Sequence, residues 1–126
     1  MIDIKTDLKH FIENNIELID NQDYTELYRR WARENPRGSI RSNELTELLL
    51  ECNINFMPFM SIIPRYCFCN LPIDNITIPQ TISSIDEKAF TGCSKLKHID
   101  FPTSISRIQS SAFEDSGLEN VDLPDS

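Results

Sequence analysis

Apolar residues fall into two textures along the chain. Up to Cys52 they recur at helical spacing, whereas from Ile54 onward they recur as a string kept at fixed distances. Ile76, Ile78, Ile82, Ile85 and Phe90 return 23 residues later as Ile99, Phe101, Ile105, Ile108 and Phe113. A further copy follows after a step one residue shorter, with Leu118, Val121 and Leu123 standing for Leu96, Ile99 and Phe101. A degenerate copy comes earlier: Ile54, Phe56, Met60, Ile63 and Phe68 sit 22 residues ahead of Ile76, Ile78, Ile82, Ile85 and Phe90. Self-similarity at a period of this length predicts a solenoid, in which no single copy buries its own apolar side and the core exists only by stacking.

Within a copy, Leu96-x-x-Ile99-x-Phe101 has the L-x-x-L-x-L frame, whose last two apolar positions alternate inward along a short strand. Strands of successive copies are therefore expected to stack in parallel. Pro79 and Pro102 remove a backbone donor and end the strand. Ile82 and Ile85, like Ile105 and Ile108, then turn inward on the opposite wall, and Ala-Phe fills the space between the walls. The full order, I-x-I-P-x-x-I-x-x-I-x4-A-F-x2-C, resembles the BspA-like leucine-rich repeats of bacterial, phage and protist proteins. The resemblance is strong from Ile73 to Pro124 and weaker back to Ile54. The third copy departs from it by placing Ser116 at the usual Cys. What the resemblance implies is a protein-binding scaffold with no family-wide catalytic residues.

Residues 1–52 carry no repeat. Ile4, Leu8, Phe11 and Ile12 make one stripe, which predicts a helix over residues 3–14. Asp23, with Glu26 three later, predicts a capping box at the start of a second helix whose buried side is Tyr24, Leu27, Tyr28 and Trp31, ended by Asn35-Pro36-Arg37-Gly38. Ser42 is placed to cap a third helix that carries Leu45, Leu48, Leu49 and Cys52 inward. The terminal repeat of a solenoid exposes an apolar face and a strand edge, so the helices are expected to cover it. The expected architecture is α/β: a leucine-rich-repeat solenoid of about three repeats with a parallel strand face, and an N-terminal cap of three helices. The cap takes residues 1–53 and the solenoid residues 54–126 (copies 54–75, 76–98 and 99–120, then a partial copy 121–126), sharing one continuous core.

Charge narrows the functional classes. The 126 residues carry a net charge of −8, which argues against general binding to nucleic acid or anionic membranes. The first residues are charged and amphipathic, unlike a signal peptide, so a cytoplasmic location is expected. Among the four cysteines, Cys67 falls in the slot of Ala89 and Ala112, and Cys93 in the buried Cys slot of the repeat. With no paired C-x2-C ligands, these residues read as small core side chains, and no metal or cofactor is expected.

Two sets of residues are candidates for partner contact. Arg29, Arg30, Arg33, Arg37 and Arg41 make a basic stretch in an acidic chain, suited to gripping carboxylates or phosphates, although Arg30 is also spaced to pair with Glu26 along one helix. On the strand face, alignment of the copies puts Asn53, Asn75, His98 and Asn120 in one outward row and Asn55, Thr77, Asp100 and Asp122 in the next. A non-catalytic protein-protein interaction module fits these features best. The alternatives are a phage or mobile-element inhibitor that occludes a nucleic-acid-binding host defence enzyme, and, more weakly, a thiol enzyme using Cys67 or Cys69. The final strand, Val121 to Leu123, presents an edge that is expected to form a homodimer.

Overall fold

In a computed structural model the chain is described over residues 4–35, 37–109 and 111–118, with side chains from residue 7 onward. Helix α1 runs Ile4–Asn14, α2 Ile16–Asp20, α3 Tyr24–Glu34 and α4 Ser42–Glu51. Five short strands follow: β1 Ile62–Ile63, β2 Asn75–Thr77, β3 Ser84–Ile85, β4 His98–Asp100 and β5 Arg107–Ile108. They form two separate parallel ladders, β1-β3-β5 and β2-β4. Asn75 pairs with His98 and Thr77 with Asp100, while Ile63, Ile85 and Ile108 fall in line across the other ladder. This is the register that the sequence period predicts.

Aromatic rings fill the space between the ladders. Phe68, Phe90 and Phe113 stack with centroid separations of 4.9 and 5.1 Å. The turns that carry them are tied along the same direction, Phe68 N donating to Ala89 O and Phe90 N to Ala112 O. Ile82, Ile85, Ala89 and Leu96 are fully buried beside the stack. One cluster of buried residues extends from Leu8 to Ala112. Where the helices meet the repeats, Phe56 lies among Tyr24, Tyr28 and Phe68, and Asn43 Nδ2 donates to Cys69 O at 2.8 Å.

Several expectations are corrected. The N-terminal region holds four α-helices where three were expected, because α2 is too short to show a periodicity; Asn15 stands between α1 and α2, its buried side chain donating to Phe11 O at 2.8 Å as α1 ends. Asp23 does cap α3, accepting from Glu26 N at 3.3 Å, but the Glu26 carboxylate turns to Arg30 and Arg33, so no return bond completes a box. Ser42 is not a cap. A 3-10 turn, Gly38–Arg41, runs straight into α4, and Ser42 is buried in the first turn of that helix with its N–H donating to Ser39 O.

The degenerate first copy supplies no strand to the β2-β4 ladder. Asn53 adopts φ +58, its N–H donates to Leu50 O, and the N–H of Ile54 donates to Leu49 O. This is a Schellman termination of α4, and it consumes the donors that a strand at Ile54 would need. A 3-10 turn at Met57–Phe59 follows. Asn53 and Asn55 therefore drop out of the two outward rows. Cys52, expected inward, is exposed.

Candidate protein-binding surface

Alternation along β2 and β4 aims Ile76 and Ile99 toward the core and leaves Asn75, Thr77, His98 and Asp100 exposed. The two strands lie side by side, so these four side chains make one polar patch. Asp100 is its centre: one carboxylate oxygen lies 3.0 Å from His98 Nε2 and the other accepts from Thr77 Oγ1 at 3.4 Å. Asn120 and Asp122, the next members of these rows, and residues 121–123, assigned to self-association, lie outside the described residues.

The arginine stretch does not form a single surface. Arg41 turns inward: its guanidinium lies 4.9 Å from the Trp31 ring centroid and bonds Glu44 at 2.5 Å, Asn35, and Asp7 at 3.5 Å. Trp31 Nε1 donates to the Arg41 carbonyl at 2.8 Å. Arg30 is drawn along the helices to Asn15, Glu17 and Glu26. Arg33 reaches Glu26 at 3.2 Å yet stays 67% exposed, and Arg29 and Arg37 are exposed with no ion pair among the described residues. Sequence spacing anticipated the Arg30–Glu26 pair; nothing in the sequence separated Arg41 from its neighbours.

Cys67, Cys69 and Cys93 are buried. Cys67 Sγ lies 3.3 Å from Thr46 Oγ1, and burial pushes its thiol up from 9.0 to about 12, with hydrogen bonds from Thr46 and Tyr28 opposing. Burial also pushes Cys93 up to about 11, with backbone hydrogen bonds from Leu71 and Asn70 opposing, and the protonated Sγ donates to Phe68 O at 2.9 Å. Thiols held protonated in this way are poor nucleophiles at neutral pH. Among the described residues, no group of three or more His, Cys, Asp or Glu side chains is arranged to hold a metal ion, and no helix is long and apolar enough to cross a membrane.

The repeat spacing, the parallel ladders and the aromatic stack agree with what a comparison of the sequence finds. The family model described as a BspA type leucine-rich repeat region of six copies matches residues 43–126, about two thirds of the chain. The chain belongs to the BspA-type leucine-rich repeat family. Repeats of this kind generally mediate protein-protein interaction and are typically non-enzymatic. In this BspA-type chain the match opens inside α4, ahead of the strands. Neither a curated protein nor a solved structure matches the chain.

Proposed function

We propose that residues 54–126 form a short solenoid of about three repeats, capped by the helices of residues 1–53, and that the protein is a non-catalytic module binding a protein partner through its β2-β4 face. The observation that carries this reading is the exposed row Asn75, Thr77, His98 and Asp100, borne on two strands in fixed register. Ile76 and Ile99 of those strands pack against the core cluster that includes Phe68 and Phe90, so the row is presented on a packed support. Rigid presentation lowers the ordering cost of association, and extended faces of stacked repeats are where such proteins take partners. Carried forward by the repeat step, Asn120 and Asp122 extend both rows. Arg29, Arg33 and Arg37, which remain exposed, offer a second contact to an acidic partner segment, whereas Arg30 and Arg41 are committed to neighbours within the chain.

The test is capture of a partner by the tagged chain from lysate of its source cells, repeated with Thr77→Lys and Asp100→Lys together. Loss of capture with an unchanged melting temperature supports the reading. Undiminished capture by the variant removes the strand face from it.

A further inference from the structure

Helices α1 and α4 meet along an open groove of about 760 Å³ at the margin of the core. On α4, Glu44, Glu47, Leu48 and Glu51 stand three and four residues apart, forming one face next to the buried Leu45 and Leu49. On α1, Leu8 and Ile12 lie one turn apart, and together with Leu48 they make an apolar floor. Around it stand Glu13, Glu44, Glu47 and Glu51, with Lys9 the one basic residue of the lining.

We infer that this groove binds a basic amphipathic helix of a partner protein. Apolar side chains at i, i+3 or i+4, and i+7 of that helix rest on the half-buried Ile12 and Leu48 above Leu8. Its flanking lysines or arginines meet the exposed carboxylates of Glu13, Glu47 and Glu51 in the helix-in-groove mode of recognition, while Glu44 stays paired with Arg41. The ten residues of α4 offer a track of about 15 Å, room for roughly three turns. Charge decides the occupant. A second copy of this chain carries a net charge of −8, and its arginine-bearing helix α3 has already buried its apolar side chains Tyr24, Leu27, Tyr28 and Trp31, so it has no apolar stripe to lay down. An uncharged apolar molecule would leave Glu13, Glu47 and Glu51 unused. This surface lies on the helices, apart from the β2-β4 row, and its test is independent of the outcome there.

Cys52 lines the groove and is exposed, while Cys67, Cys69 and Cys93 are buried, so the native chain carries its own reporter. The probe is a synthetic Leu/Lys amphipathic peptide of about fourteen residues, long enough to form a helix on binding. Anisotropy of the labelled peptide gives the affinity, and the alkylation rate of Cys52 reports occupancy. The expected result is saturable binding that slows Cys52 alkylation, weakened at least about tenfold by Glu47→Lys with Glu51→Lys. The matched charge change at Asp20→Lys with Glu114→Lys, exposed positions outside the groove, should leave affinity within about twofold. The inference is overturned if both double variants weaken binding equally, if the peptide leaves Cys52 unprotected, or if a Leu/Gln analogue binds as well. It is also overturned if Cys52 becomes protected with rising protein concentration alone as the chain dimerises, which would make a second copy the occupant. Melting temperatures of the four-lysine set confirm that the variants are folded.

Discussion

The rings of Phe68 and Phe90 lie within 3° of parallel, their centroids 4.9 Å apart. Phe113 continues the stack at 11° to Phe90, and Phe101 meets Phe113 edge-on at 88°. Phe68, Phe90 and Phe113 are 22 and 23 positions apart in the chain, so each stacked contact joins one repeat to the next. Phe90, fully buried in the middle, contacts both neighbours. Phe90→Ala is expected to lower stability by roughly 3–5 kcal/mol in urea denaturation. A loss below about 1 kcal/mol would mean that the stack does not hold the repeats together.

Arg41 and Arg37 lie four residues apart and should behave in opposite ways. Arg41→Ala removes the guanidinium from Trp31 and from the carboxylates of Glu44 and Asp7, and should lower stability by about 2 kcal/mol. Arg37→Ala, at an exposed position, should change it by less than about 0.5 kcal/mol. Equal small losses from both would return Arg41 to the surface.

Alkaline pH should destabilise the fold through its buried thiols. Cys67 and Cys93 are raised from 9.0 to about 12 and about 11 by burial, and Tyr28 is raised well above 10.0 for the same reason. A folded-state pKa above the unfolded one stabilises fully below the unfolded value; that stability is lost as pH rises from about 9 toward the folded values. The Cys67 share over the window is on the order of 4 kcal/mol. Cys67→Ala places at this position the residue found at Ala89 and Ala112. Measured across pH 8 to 11 (roughly the titration range), its melting temperature should fall less steeply than that of the native chain. Parallel slopes would show that ionisation of Cys67 does not drive the loss.

Helices and repeats should unfold together, since Phe56 packs on Tyr24 and Tyr28 on one side and on Phe68 on the other. Trp31 fluorescence and far-ultraviolet dichroism are expected to share one denaturation midpoint. Two midpoints would divide the chain between its helices and its repeats.

Much of the fold was legible because a repeat states its register twice. The pairings Thr77 with Asp100 and Ile85 with Ile108, and the inward slot shared by Cys67, Ala89 and Ala112, all follow from the 22- and 23-residue steps. The same steps also relate backbone features that residue type conceals. Tyr66, Lys88 and Ser111 share φ near +60, as do Asn70 and Asp115 in the next row, where Gly92 stands at +75. Glycine and asparagine signal such a turn; tyrosine and lysine do not, because here the stacking of neighbouring turns overrides local preference. The strand expected at Ile54 and Phe56 is absent for a related reason: their apolar spacing suits a strand, but the Schellman turn at Asn53 takes up the backbone donors first. Of the binding surface, the outward row Asn75, Thr77, His98 and Asp100 was readable from alternation. The dispersal of the arginines was not, because the partners of Arg41 include Asp7, 34 residues away. Nor was the groove beside α4, which depends on how α1 packs.

Binding through the β2-β4 face is the central claim, and site-specific photocrosslinking tests it most directly. A photoreactive residue is placed at Thr77 on that face, and in a separate chain at Ser84 on the β1-β3-β5 ladder, and each is irradiated with the captured partner. The account predicts a crosslinked product from position 77, lost on Asp100→Lys, and none from position 84. Crosslinking from position 84 alone would contradict it.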